Sequence, residues 1–365
     1  MSSTRKPATL EDVARLAGVS HITVSRVVNN YAHISLKTRE KVEAAIRELG
    51  YVPNRLAQGL ARHRTHTIGF ATNDISLHAP SQLASGIERA AREHGYSLIV
   101  SIVHDYGLPA VEGAVRALRE RHVDGVLVNA SLNSRDMLSL LEGCGDVPCV
   151  FLDAPAGVEV HAALLDQYAG AQLGAEHLLN LGHTRIALVC EPQPAEAEHS
   201  RSQGWLDALA ARGLKPVATA HGDWSARSGY EAATTLLGSG TEFTGLLIAN
   251  DQMAVGVLRA LWERGLNVPR DVSVVGFDDT AESAMLIPPL TTIRQDFPNL
   301  GQRAFHHLVQ LLEGKAPPQP TMTTPELIER SSTAPPYSQM VQFQDLMNAV
   351  RQLSEQLRTS PSPKT

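Results

Sequence analysis

Residues 8–30, ATLEDVARLAGVSHITVSRVVNN, carry two apolar stripes at helical spacing separated by one glycine, a pattern that calls for two short helices meeting at a tight turn. Leu10, Val13, Ala14, Leu16 and Ala17 recur on one face, and Thr9 with Asp12 forms an acidic capping box, so the first helix starts near Leu10. Gly18 supplies the backbone conformation of a sharp stop, Ser20 can cap the second helix, and Val24, Val27 and Val28 form a stripe facing the first. The opposite face carries His21, Ile22, Thr23, Ser25, Arg26 and Asn29, the first of them at the N-terminal end, where a recognition helix meets base edges. An ordinary helical hairpin with a polar surface is the alternative for this segment alone.

Charge separates the two readings. Residues 1–64 hold eleven Lys or Arg against five acids, a balance of +6, while the 365-residue chain is −6, which leaves −12 for the remaining 301 residues. A basic head on an acidic body suits a phosphate-binding module joined to something that does not touch nucleic acid. The length predicts two or three domains, and the 43% apolar content is enough for sizeable cores. Absence of a membrane-length apolar run and of a signal-peptide pattern predicts a cytoplasmic protein. Cys144, Cys149 and Cys190 lack metal-ligand spacing and are expected as reduced core residues; neither a metal nor a cofactor is expected.

A third helix is predicted over 36–49, with Val42, Ala45, Ile46 and Leu49 as its core stripe and Gly50 as its stop. The segment 51–67 has Pro53 where a helix can begin, then Leu56, Ala57 and Leu60, and is too short to be a stable helix alone. Beyond it strands and helices alternate. Strands are expected over 68–71, 98–103, 125–129, 149–153, 185–190, 245–250 and 272–278, and helices over 81–94, 112–120, 169–181, 201–212, 229–237 and 251–264. Such alternation means parallel sheets covered on both faces, and a run this long fits two doubly wound lobes.

Ligands of such sheets bind beyond the carboxyl ends of the strands. Asn73, Asp74, Asn129, Asp153, Asn250, Asp251, Asp278 and Asp279 all fall there, with Trp224 and Phe297 available as apolar faces. Amides and carboxylates converging on a cleft suit a polyhydroxylated ligand, whose hydroxyls must recover the hydrogen bonds lost from water. Taken singly, each could equally be a helix cap or a turn former.

The stretches TLEDVARLAGVS, TVSRVVN, KTREKVEAAIREL, PNRLAQGLA, LHAPSQ, FLD, GDWSA, ANDQMA, SVVGFDDT and IPPLTTIRQDF, in this order, resemble the LacI family of bacterial transcription factors over nearly the whole chain. The resemblance implies an α/β protein with an N-terminal all-α helix-turn-helix headpiece, a two-lobed doubly wound core resembling periplasmic sugar-binding proteins, and a C-terminal oligomerisation helix. The implied division is a headpiece over 1–50, a hinge helix and linker over 51–65, an N-lobe over 66–165 with 295–324, and a C-lobe over 166–294 with 325–333. A linker over 334–339, a tetramerisation helix over 340–358 and a disordered tail over 359–365 complete it.

Carried over by position, the resemblance makes Thr9, Ser20, Thr23, Ser25, Asn29, His33, Ser35 and Thr38 phosphate or register contacts to operator DNA, with His21, Ile22 and Arg26 choosing bases. Tyr51, Asn54 and Gln58 would contact DNA nearby, and Leu60 would be a minor-groove wedge. In the core it implies a galactoside inducer whose hydroxyls meet Asp153, Arg201, Asn250 and Asp278. Leu77, Ala79, Pro80, Leu83, Leu152, Trp224, Phe297 and Leu300 would form an apolar wall, with Asn129 at a strand end and Gln295 in the crossing between lobes.

Three departures from the family member most resembled limit that transfer. His21 and Ile22 stand where it carries Tyr and Gln, so a different operator is expected; Ile22 suits a thymine methyl. Gly59 replaces a Gln in the hinge and should cost about 1 kcal/mol of helix stability. Leu165 replaces a Phe of the ligand wall.

In the tail, Phe343, Leu346, Val350, Leu353 and Leu357 follow alternating three and four spacing, as in a short coiled coil. A homodimer assembling to a homotetramer is expected, and a lone helix docked on its own core is the alternative. The expected function is repression relieved by the sugar, not catalysis. The alternatives are a family regulator with another ligand or corepressor logic and, from a different class, a glycosidase using Asp153 and Asp278 as its carboxylate pair.

Overall fold

The computed structural model describes residues 8–28, 31, 33–51, 64–105, 107–155, 157–192, 201–315 and 322–337. Contacts divide the chain into two units between Thr67 and Ile68.

In the first unit, Thr9 opens α1 (Leu10–Ala17): its Oγ1 accepts from the Asp12 N–H at 3.3 Å while the Asp12 carboxylate accepts from the Thr9 N–H at 3.0 Å. Two of the four orphan donors of the helix start are thereby satisfied. Gly18 ends α1 in the left-handed region at φ 63°, where a Cβ is penalised. Ser20 then accepts from the Thr23 N–H at the start of α2 (His21–Val28), and Ser35 does the same for Thr38 in α3 (Leu36–Leu49). Val13, Ala14, Val24, Val27, Val42, Ala45 and Tyr51 form the buried core of this unit.

Two expected core residues lie outside it: Leu16 is 45% and Leu49 37% exposed. Leu16 sits off the arc defined by Val13, Ala14 and Ala17. Leu49 is the last residue of a 14-residue helix that outruns the 8-residue α1 packed on it.

The second unit holds two four-stranded sheets. Strands β1 (Thr67–Thr72), β2 (Ser97–Ile102), β3 (Gly125–Asn129) and β4 (Cys149–Phe151) lie in the order β2-β1-β3-β4. Helices α4 (His78–Glu93), α5 (Leu108–Arg119) and α6 (Ser134–Cys144) connect them. After the short β5 (Leu164–Leu165) come α7 (Gln167–Asn180), β6 (Ile186–Cys190), α8 (Arg201–Ala211), β7 (Ala218–His221), α9 (Ala226–Gly238), β8 (Gly245–Ile248), α10 (Asp251–Glu263) and β9 (Ser273–Val275). This second sheet is parallel throughout, in the order β7-β6-β8-β9, with Leu188 paired to Leu247. The two orders place each lobe's first strand inside its sheet, the doubly wound arrangement expected from the alternation.

The chain returns to the first lobe after β10 (Thr292–Arg294), through α11 (Phe297–Leu312), which packs on α4. Their approach is close enough that a Cβ on Gly301 would stand 2.6 Å from the Leu83 carbonyl oxygen. Finally β11 (Met322–Thr323) pairs with β5, and β12 (Glu326–Ile328) runs antiparallel to β10. One core lies against α4 and α11 (Ile68, Phe70, Leu83, Ile87, Leu127, Phe305), a second contains Val111, Leu118, Met137 and Phe151, and a third fills the other lobe. Each buried large side chain contributes about 1.5–3 kcal/mol over its exposed state.

Helix α6, strand β7 and helix α11 go beyond the elements expected from periodicity. Strand β7 is an edge strand whose ATAH sequence alternates only between half-buried and exposed positions. All three cysteines are free and buried, as expected, with the sulfurs of Cys144 and Cys149 3.0 Å apart. No helix among the described residues is long and apolar enough to cross a membrane. The hinge residues Asn54, Gln58, Gly59 and Leu60 and the tail residues Phe343, Leu346, Val350, Leu353 and Leu357 lie outside the described residues.

Candidate functional site

On the headpiece, burying one face of α2 through Val24 and Val27 leaves His21, Ile22 and Arg26 exposed, with Thr23 and Ser25 half-buried. Ile22 presents an apolar side chain 56% exposed, a solvent-facing cost that the headpiece core does not recover. Thr9, Ser20, His33 and Ser35 are exposed and Thr38 is half-buried; Thr9, Ser20 and Ser35 are also caps, so they hold helix starts as well as facing outward. Tyr51 is 9% exposed and packs in the headpiece core, so most of its bulk supports the surface from beneath. Asn29 lies outside the described residues.

In the second unit the centre of the candidate site is Arg201, first residue of α8, 8% exposed. Its guanidinium donates through Nη2 to Asp278 Oδ1 at 3.0 Å, through Nε to Gln167 Oε1 at 2.8 Å, and through Nη1 to the Ala249 carbonyl. It also lies over the rings of Phe277, 4.0 Å to the centroid, and Trp224, 5.5 Å. Gln295 donates to the same Gln167 oxygen at 3.1 Å, while its own Oε1 is buried without a partner. Asn250 caps α10 by accepting from the Met253 N–H at 2.8 Å and donates to the Trp224 carbonyl at 3.0 Å. The helix-cap alternative for Asn250 is therefore realised. Backbone strain collects here, since Trp224, Asp278 and Asp279 all have positive φ.

Burial pushes the Asp278 carboxyl up to about 7, with the nearby Asp251 adding to the rise and Arg201 opposing it. Asp153 is solvent-exposed as a residue, yet its carboxyl is set among protein atoms that hold it above the ordinary range, against the attraction of Arg201. Asp251 is a buried post. Its carboxylate accepts from the Thr280 N–H at 3.0 Å, the Ser283 hydroxyl at 2.6 Å and the Thr292 hydroxyl at 2.7 Å, and burial pushes it up to about 6.

Burial divides the residues of the expected apolar wall. Leu83, Leu152, Phe297 and Leu300 are core residues of the first lobe and Pro80 is buried, whereas Leu77, Ala79 and Trp224 are half-buried. Asn129 donates to the Thr72 hydroxyl at 2.9 Å, and Leu165 is buried. Across the lobes, the backbone N–H of His78 donates to Gln252 Oε1. Beside the crossings lies a small surface crevice lined by Leu165, Asp166, Arg294, Gln295, Thr323 and Pro325.

Gln167, Glu191, Gln252 and Phe277 belong to this site and were not among the sequence candidates. Glu191 had the same signal as its neighbours, a polar residue directly after a strand; it accepts from the Ser202 hydroxyl at 2.7 Å. Gln167 and Phe277 carried no such signal.

Two family models match the chain: bacterial regulatory proteins, lacI family, over residues 9–54, and periplasmic binding protein-like domain over 175–333. The chain is 43% identical to the lactose operon repressor of Escherichia coli K12 over 352 residues, 96% of this chain and 98% of that protein. It is 34% identical to the ribose operon repressor of the same strain, covering 89% and 99%. Among solved structures, a lac repressor dimer bound to operator and the anti-inducer ONPF superposes with a TM-score of 0.85 at 44% identity, covering 90% of this chain and all of that one.

Proposed function

The chain belongs to the LacI family and is a DNA-binding transcriptional repressor, and from that premise we propose that its inducer is a galactoside bound at Arg201. The observation that carries this reading is the guanidinium fork of Arg201 held between Asp278, Gln167 and two aromatic rings at the carboxyl ends of strands. Five N–H donors in a fixed plane can span two vicinal hydroxyls, and Asp278 and Asp153 can accept from them. Trp224 offers the apolar ring face on which a pyranose packs. Both lobes contribute, Leu77 and Asp153 from one and Arg201, Trp224 and Asp278 from the other, so a ligand between them favours one mutual arrangement.

On this reading residues 66–165 with 295–324 act as one lobe and 166–294 with 325–333 as the other. The headpiece reads an operator of its own through His21, Ile22 and Arg26, in the cytoplasm where that DNA is. Dimers pair headpieces on half-sites, and the 340–358 segment joins two dimers.

The test is a mobility-shift titration on DNA selected from a random library by the full chain, with an alkyl galactoside, ribose and a purine base added in turn. Release of the DNA by the galactoside alone is the expected result. Release by ribose alone would replace the ligand, and tighter binding with any of the three would reverse the logic to corepression.

A further inference from the structure

We propose that His94 and His306 form a surface site for a divalent transition-metal ion, in the class of Zn²⁺, Ni²⁺ and Cu²⁺, joining α4 to α11. The two rings lie 5.1 Å apart by centroid with planes 78° apart. An imidazole bound through nitrogen at about 2.0–2.1 Å puts its ring centre roughly 3 Å from the metal, so two such rings at a tetrahedral angle stand about 5 Å apart. The observed centroid spacing falls at that value.

The hydrogen bonding of His94 suits the tautomer a metal ligand needs. Its Nδ1 lies 2.8 Å from the Ala90 carbonyl oxygen, and because a carbonyl only accepts, Nδ1 is the donor, which in the neutral ring leaves the lone pair on Nε2. A ring N–H donated to a backbone carbonyl is the usual support of a metal-ligating histidine, fixing its tautomer and raising its basicity.

Location favours a cation independently. His94 is the C-cap of α4, where the carbonyl ends of the helix leave a partial negative charge. Phe305, fully buried, lies beneath both rings at 5.5 and 5.7 Å and forms an apolar floor. Both histidines are exposed, so water can fill the remaining coordination positions. Imidazole ligands select Zn²⁺, Ni²⁺ or Cu²⁺ over Mg²⁺ and Ca²⁺, which take oxygen ligands. Among the described residues no group of three or more His, Cys, Asp or Glu is placed to hold a metal, which makes this a two-histidine site completed by water. The helices it would join are already packed closely at Gly301, so the ion meets a preformed spacing.

The test is calorimetric titration of the full-length protein with NiCl₂ and ZnCl₂, alongside His306→Ala, His94→Ala and the double variant. One ion per chain is expected, bound roughly tenfold or more weakly in each single variant, since loss of a ligand costs at least what loss of its support does. A rise in melting temperature with NiCl₂ should accompany binding and vanish in His306→Ala, whose own melting temperature without metal reports whether the variant folds. Absorbance of the Co²⁺ complex should show no thiolate charge-transfer band, which separates the site from Cys144 and Cys149. No binding to the unaltered protein, or undiminished binding to the double variant, would overturn the proposal.

Discussion

The backbone N–H of His78 donates to the side-chain oxygen of Gln252 at 2.8 Å, linking residues 174 apart in sequence. His78 is the first residue of α4, whose N-cap Leu77 offers no side-chain acceptor, so this helix receives its cap from the other lobe. Gln252 lies in the first turn of α10, two residues after the capping Asn250. Two helix starts at the carboxyl ends of two sheets therefore meet through one amide.

Replacing Gln252 with Ala removes that link and leaves an orphan N–H. A net hydrogen bond contributes about 1 kcal/mol, equivalent to roughly a fivefold change in the balance between lobe arrangements. The expected outcome is a shift of that size in the sugar concentration that releases DNA. An unchanged midpoint would mean that the bond exists equally in both arrangements.

Asp278→Ala should abolish release by sugar while leaving DNA binding intact, because Asp278 lies in the second unit and the headpiece surface in the first. Mobility shifts with and without galactoside measure both. Loss of DNA binding as well would indicate instead that unpairing Arg201 unfolds the core.

Stability should depend on pH through the same residue. Asp278 at about 7 and Asp251 at about 6 both lie above the ordinary 3.8, so burial favours their protonated forms. Their contribution to stability is then complete below about pH 4 and is lost as pH rises through 6 to 7. Melting temperature should fall from about pH 4 to about pH 7 and level off above, and fall less in Asp278→Asn. An identical slope in that variant would place the titration elsewhere.

Arg26→Ala should relax base preference at one operator position by about 1–3 kcal/mol, without the uniform weakening across sequences that loss of a phosphate contact produces. Binding to a library of single-base operator variants separates the two outcomes.

Asp251→Ala should destabilise the second unit by at least about 2 kcal/mol in urea, since it strands the Thr280 N–H and the Thr292 hydroxyl and leaves Ser283 with only the Thr280 hydroxyl as a partner. Gly276 leaves no room for a Cβ beside Asp251 Oδ1, so this part of the site tolerates little rearrangement.

The headpiece was legible in sequence because its signals are local. Thr9, Gly18 and Ser20 act within four residues of themselves, and each has the role its spacing called for, while Ser35 caps the third helix by the same local means. The α/β alternation was equally plain, but α11 was hidden behind Phe297 and Leu300, which were read for a ligand and not for the helix whose buried face they begin. Partner choice at long range was not legible. Gln167 meets Arg201 across 34 residues, and nothing in its neighbours distinguishes it from any other glutamine. Asp251 followed a strand as a candidate should, yet its three donors come from 29 to 41 residues away and make it a structural post.

Three of the five N–H groups of Arg201 are spent on protein acceptors among the described residues, and Asn250 uses both ends of its amide. A visiting molecule gains in full only at the two N–H groups that remain, and elsewhere gains the difference between the bonds it makes and those it displaces. A polyol that meets both at once would thus be favoured over a small metabolite with a single hydroxyl.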